Sequence, residues 1–239
     1  RWMQRLSNAF DPSGLEADVI PVPPEYAQPF ADVYEDNMPN LYITRRPNTG
    51  DRPVVMLDAH CDEVGFIVQF IKPNGTLQFL QLASWNEFSV PGTKVSVKND
   101  LGEYIPGIVA AKPVHFMTEE GRNKPMHMAD MVIDIGAVSA QETSAVFHIS
   151  VGAPVAPAVR FEADEKRGIM MGKAFDCRVG CLALLRSMEA LAEADLDVDV
   201  VSVLSSQEEI SERGARVVER TVDPALTVGF EGCPADDTI

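Results

Sequence analysis

From Val54 to Ala59 every position is apolar except Asp58. A strand with one wet face alternates, so an unbroken run predicts a strand covered on both faces. Val198 to Leu204 reads the same way, and Leu226 to Phe230 predicts a further strand. Between them, Val179, Leu182, Leu185, Met188 and Leu191 recur at helical spacing over 179–192. Residues 211–220 predict a second helix, with Ser211 as its N-cap. Strands alternating with helices predict an α/β fold, a mostly parallel sheet flanked by helices. Upstream, residues 2–10 predict a short helix that breaks at Asp11-Pro12-Ser13-Gly14. Pro21, Pro23 and Pro24 predict that no helix forms around them, because proline lacks an amide donor and clashes with the preceding turn. Strands are expected at Val33-Tyr34 and over 41–44.

The texture changes from Gly65 to about Ala163. Short apolar runs over 66–71, 77–82, 94–97, 105–110, 131–135 and 145–149 predict strands. Asn74-Gly75, Pro91-Gly92 and Asp100-Leu101-Gly102 punctuate them as turns. The expected organisation is a catalytic α/β domain from residues 1–65 plus 164–239, interrupted by a small β-rich insert domain at 66–163.

With 239 residues, 46% of them hydrophobic, the chain can bury a substantial core. Its net charge is −16, with acids spread along its length, which argues against nucleic acid or an anionic membrane as partner. No apolar run approaches the ~20 residues that span a bilayer, and Arg1 to Arg5 lacks the apolar core of a signal peptide. Cys61, Cys177, Cys181 and Cys233 form no CxxC pair, so reduced thiols in a cytoplasmic protein are expected.

The chemistry lies at the ends of these elements. The first buried strand runs into Asp58-Ala59-His60-Cys61-Asp62-Glu63, the next into Ser206-Gln207-Glu208-Glu209, and the last into Phe230-Glu231-Gly232. Phe175-Asp176-Cys177-Arg178 opens the long helix. In open α/β sheets, sites form beyond the strand C-termini, where these groups would converge. One imidazole and several carboxylates suit divalent Zn, Mn or Co, and a carboxylate such as Asp176 can bridge two ions. Any one cluster is as easily a set of solvated loop acids; four in order at element ends carry the argument. HExxH, GxSxG and GxGxxG are absent, and Gly168 to Lys173 is one residue short of a phosphate loop. His115, His127 and His148 are read as structural, and Met170-Met171 as packing. Cys61 and Cys177 follow acidic or imidazole ligand types, and Cys233 lies two residues after Glu231; a residue beside a ligand usually faces away from it.

As a set, Pro12-Ser13-Gly14-Leu15-Glu16, Ala59 to Phe66, Gly107 to His115, Asp134-Ile135-Gly136-Ala137, Gly172 to Gly180, Gln207-Glu208-Glu209 and Asp237-Thr238 resemble the tetrahedral (TET) and glutamyl aminopeptidase family, including FrvX-like and "cellulase M" proteins. The resemblance implies a dinuclear metallo-aminopeptidase. It implies His60, Asp176, Glu209 and Glu231 as metal ligands, with Asp176 bridging. It implies Glu208 as general base, acting on a metal-held hydroxide, and Asp62 as the acid that orients His60. Glu231 stands where the family usually carries Asp. Two divalent ions are implied, zinc first, then cobalt or manganese. Small peptides are the implied substrates, and homododecamers built from dimers, through the β insert, the implied assembly. The family supplies a final histidine ligand from a C-terminal region, and the sequence stops at Ile239 before it. A fragment, or an under-ligated second metal, is therefore expected. A deacylase of the same fold and a non-catalytic assembly subunit are the alternatives. Glycoside hydrolysis fits less well, because it uses two carboxylates flanking a sugar and no metal.

Overall fold

A computed structural model describes residues 1–124, 126–233 and 235. In chain order, α1 (Trp2–Asn8) and α2 (Val22–Ala27) precede β1 (Ala31–Glu35), β2 (Leu41–Arg45) and β3 (Val54–His60). Next come β4 (Gly65–Ile71), β5 (Leu77–Leu82), β6 (Lys94–Lys98), β7 (Tyr104–Ala110), α3 (Glu119–Arg122), β8 (Val132–Asp134), α4 (Ala140–Ala145) and β9 (Pro154–Pro157). The described chain closes with β10 (Glu162–Asp164), β11 (Ile169–Met171), α5 (Phe175–Leu191), β12 (Asp199–Ser205), α6 (Arg213–Val222) and β13 (Leu226–Gly229). It forms two compact units, residues 1–63 with 160–239, and residues 64–159. No helix among the described residues is long and apolar enough to cross a membrane.

The first unit holds a sheet in the order β1-β2-β12-β3-β13. Its β12-β3-β13 part is parallel, and β2 and β1 extend it antiparallel. β3 and β12 pair from Val54 opposite Asp199 to His60 opposite Ser205, so both strands finish at one level. Gly229 pairs with Asp58, which delivers the end of β13 to the same edge. Helix α5 packs Cys177, Cys181, Leu184, Leu185 and Met188 into a core with Leu57, Val200 and Leu204. Two thiols tie the helix to the strand ends: Cys181 Sγ donates to His60 O at 3.0 Å, and Cys177 Sγ to Phe230 O at 2.9 Å.

Several expectations are corrected in this unit. The prolines do not prevent a helix: α2 has Pro21 as N-cap and Pro23 and Pro24 in its first turn. Amides there need no intrahelical acceptor, so proline costs nothing, and Pro23 and Tyr26 become core residues. Ser211 is not an N-cap; the chain passes through left-handed backbone at Ser211 and Glu212, and α6 starts at Arg213. β13 is not buried; it is hydrogen-bonded to β3 on one side and all four of its residues are exposed. Met170 and Met171 do not pack; on the short β10–β11 hairpin both are exposed.

In the second unit a closed barrel runs β4-β5-β8-β7-β6-β9 around Phe66, Phe79, Val95, Val97, Ile133 and Val155. Gly75 is required at its turn: φ is +89°, and a Cβ would stand 2.8 Å from Ala137 O. The strand expected over 145–149 is absent. Ser139 Oγ accepts from Glu142 N and caps α4, which ends at Ala145, and residues 146–149 leave it as turn and irregular chain. β9 has the reverse history. Prolines at both of its ends hide it from a strand reading, yet it pairs with β4 and β6 and completes the barrel.

Leu184 is fully buried, and its truncation leaves a cavity. Leu184→Ala is expected to cost about 2–5 kcal/mol in urea unfolding. Met170→Ala, on the exposed hairpin, is expected to stay within about 0.5 kcal/mol. Equal effects would contradict the assigned core.

Candidate metal centre

His60 ends β3 with 3% of its surface exposed. Its Nε2 is 2.9 Å from Asp176 Oδ1, 3.6 Å from Glu231 Oε1 and 3.7 Å from Glu208 Oε2. Its Nδ1 is 3.3 Å from Asp62 Oδ1, an ion-pair contact without hydrogen-bond alignment. Each acid arrives from a different place: Asp176 from the start of α5, Glu208 and Glu209 from the loop after β12, and Glu231 from beyond β13. Asp176 and Glu231 are half-exposed, so the acidic rim opens to solvent above a buried imidazole. No Lys or Arg of the described residues pairs with these acids.

This crowding perturbs the groups. Burial alone would lower the His60 pKa, but Asp62, then Asp176 and Glu208, lift it to about 9. Burial raises Glu209 to about 7, with Asp62, Asp176 and Glu208 adding to it against the pull of His60. Burial likewise raises Glu208. Asp62 goes the other way: burial would raise it, yet contact with His60 and donated hydrogen bonds keep it lowered. Two of those bonds come from Glu208 N at 3.0 Å and Glu209 N at 3.1 Å. One carboxylate therefore braces both the imidazole and the loop that carries two more acids.

The donors suit a divalent cation. His60, Asp176, Cys177 and Glu231 place ligand atoms within 4.8 Å of one another, and so do His60, Glu208 and Glu209. The other five residues singled out as ligands or catalytic acids, Asp62, Asp176, Glu208, Glu209 and Glu231, stand around His60. Two features depart from the sequence reading. His60 is common to both groups, and Asp176 shares the first with Glu231 but is not grouped with Glu209. Cys177, read as facing away, joins the first group, although its thiol donates to Phe230 O and burial pushes it up to about 12. His115, His127 and His148 are exposed and enter no such group among the described residues. Asp237 and Thr238 lie outside the described residues.

Behind His60 lies a buried ion cluster that the sequence reading missed. Arg178, fully buried, donates from Nε to Cys61 O at 3.0 Å and from Nη1 to Leu6 O and Ala9 O, both at 2.7 Å. Its Nη2 is 3.7 Å from both Asp11 Oδ2 and Glu63 Oε1. Lys173 Nζ donates to Glu63 and to Ala9 O, and burial lowers the pKa of this lysine. Burial raises Asp11 well above the usual range, despite the Arg178 charge. Arg178 links α1, the residue after His60 and the start of α5 two residues past Asp176. Its signal lay inside the Gly172–Gly180 motif, but sequence spacing does not show that an arginine points inward.

An α/β sheet with a histidine and carboxylates gathered beyond its strand ends defines the class of candidate metal-binding α/β proteins. The M42 glutamyl aminopeptidase family matches residues 40–239, and the chain belongs to that family. The glutamyl aminopeptidase of Lactococcus lactis subsp. cremoris is 30% identical over 203 residues, covering 85% of this chain and 57% of that protein. A TET aminopeptidase crystal structure from the marine sediment archaeon Thaumarchaeota archaeon SCGC AB-539-E09 is 34% identical, with TM-score 0.93 over 99% of this chain and 66% of that one. The Pyrococcus horikoshii TET1 peptidase, described as assembling into a tetrahedron or a large octahedral shell, shares the fold at 22% identity, with TM-score 0.85 over 98% of this chain and 69% of that one. The chain thus spans 57% of the length of the Lactococcus relative.

Removing Arg178 takes the cation away from buried Asp11 and leaves Glu63 with Lys173 alone. Arg178→Met is expected to destabilise the chain by about 3–5 kcal/mol in urea unfolding, or to prevent folding. A loss under about 1 kcal/mol would contradict a structural role for the cluster.

Proposed function

We propose that this chain carries the metal site of an aminopeptidase that removes N-terminal residues from small peptides. The observation that supports this most is the convergence of Asp176, Glu208 and Glu231 within 3.7 Å on one Nε2 of a buried histidine. Like charges so close repel, and a divalent cation relieves the repulsion. His60, Asp176 and Glu231 would hold one ion, and Glu209 would help hold a second. Zinc fits this donor set first, then cobalt or manganese. Such ions, when bound, supply Lewis-acid polarisation of water and of the scissile carbonyl.

The remaining work falls to the chain's own residues. Glu208 is the general base: it takes the proton from attacking water at Oε2 and hands it to the departing amine. A raised pKa suits that exchange, because the carboxylate must both accept and release a proton. Asp62 keeps His60 oriented and holds the Glu208 and Glu209 amides, so it acts by positioning rather than by proton transfer. The half-exposed rim at Asp176 and Glu231 gives a free substrate amine carboxylates to meet, which favours cleavage at a peptide's N-terminus.

The 160–239 and 1–63 unit is the catalytic domain in this reading. The barrel, with exposed Phe88, Val114 and Phe116, is the self-association domain of a cytoplasmic homo-oligomer. Neither nucleic acid nor membrane is a partner.

Glu208→Gln keeps the size and the metal donors around His60 but removes the base. It is expected to retain metal while aminoacyl-anilide hydrolysis falls by about 10²–10⁴-fold. A rate within tenfold of wild type at unchanged metal content would take Glu208 out of the mechanism. Chelator should abolish wild-type turnover and zinc should restore it; chelator-insensitive cleavage would count against the metal reading.

A further inference from the structure

Four successive amides in the loop after β12 each meet a side-chain oxygen. Ser206 N donates to Asn40 Oδ1 at 2.9 Å, and Gln207 N to Glu16 Oε1 at 3.1 Å. Glu208 N and Glu209 N donate to the two oxygens of Asp62. The loop needs such bracing. Gln207 has φ +55°, in the left-handed region that a non-glycine residue adopts only at a cost. Turned over, the same peptide would carry the Glu208 and Glu209 side chains away from His60.

Glu16 is the member of this set without an explained role. It is 1% exposed, and no Lys or Arg of the described residues pairs with it. Oε1 also accepts from Gly14 N at 2.7 Å, while Oε2 has no hydrogen-bond partner. Its own segment is fixed to the chain just past β3, because Ser13 N donates to Glu63 O at 3.1 Å and Pro12 forms a β-bridge with Glu63. A buried carboxylate is an expensive choice unless its stronger hydrogen bonds are used.

We propose that Glu16 is a positioning residue: by holding the Gln207 amide against the anchored Ser13–Glu16 turn, it fixes the loop that aims Glu208 and Glu209 at His60. The consequence for metal and turnover rests on the roles proposed above for those two acids. The holding of the loop does not.

Amide hydrogen exchange read by mass spectrometry on the chelator-stripped intact chain tests this, with zinc titration calorimetry on the same samples. Glu16→Ala is expected to speed exchange across 206–212 about tenfold, the loss of one charged hydrogen bond, while β3, β12 and the barrel keep their rates. It is also expected to weaken, about tenfold, the zinc binding that Glu209→Gln removes. Glu16→Gln keeps the Oε1 acceptor and is expected to restore both to within about threefold. If Glu16→Ala does not fold, Glu16→Asp, which retains the charge one methylene short, should show a smaller rise confined to 206–212. Unchanged exchange there, a rise spread over the whole unit, or a Gln variant no better than Ala would overturn the proposal. Wild-type chain that binds no zinc, with the exchange pattern as expected, would defeat the metal reading and leave the loop assignment standing.

Discussion

Carboxylates crowded around one imidazole are the constraint on which the rest of this structure turns. Asp62, Asp176, Glu208 and Glu231 all lie within 3.7 Å of a His60 ring nitrogen, and no Lys or Arg of the described residues pairs with them. Mutual repulsion would spread flexible acids into water. Here the backbone prevents it. The β3–β12 register ends both strands at His60 and Ser205, β13 arrives beside Asp58, and α5 begins at the same edge. The sheet and its helix hold the donors together, and a cation is the simplest species that makes the arrangement favourable.

Rigidity is supplied behind the site and exposure in front of it. Arg178 draws α1, Cys61 O and the start of α5 onto one guanidinium, with Glu63 and Asp11 nearby. Such a cluster adds little net stability compared with an apolar core, but its geometry is specific. On the open side, Asp176 and Glu231 remain half in solvent. For the proposed site that asymmetry holds the acids from below and leaves them reachable from above.

Much of this was legible in the sequence. The unbroken apolar runs at 54–59 and 198–204 match β3 and β12, and the acids just past them are among those that gather around His60. What escaped did so for physical reasons. Pro23 and Pro24 signal helix breaking except in a first turn, and only the three-dimensional path shows that they occupy one. Leu226 to Phe230 is apolar enough for a buried strand, but a run of apolar residues does not reveal how many neighbours it has. The apolar pattern at 145–149 holds no strand because those residues form the irregular exit from α4, which ends at Ala145. The inward Arg178 and the buried Glu16 resemble any surface charge until their partners are seen.

Metal content per chain, measured by elemental analysis on protein purified without chelator, tests the central claim most directly when wild type and His60→Ala are compared. The account predicts two divalent ions per wild-type chain and a clear loss on removal of the imidazole at which both donor groups meet. Wild-type chain free of metal, or a stoichiometry indifferent to His60, would contradict it.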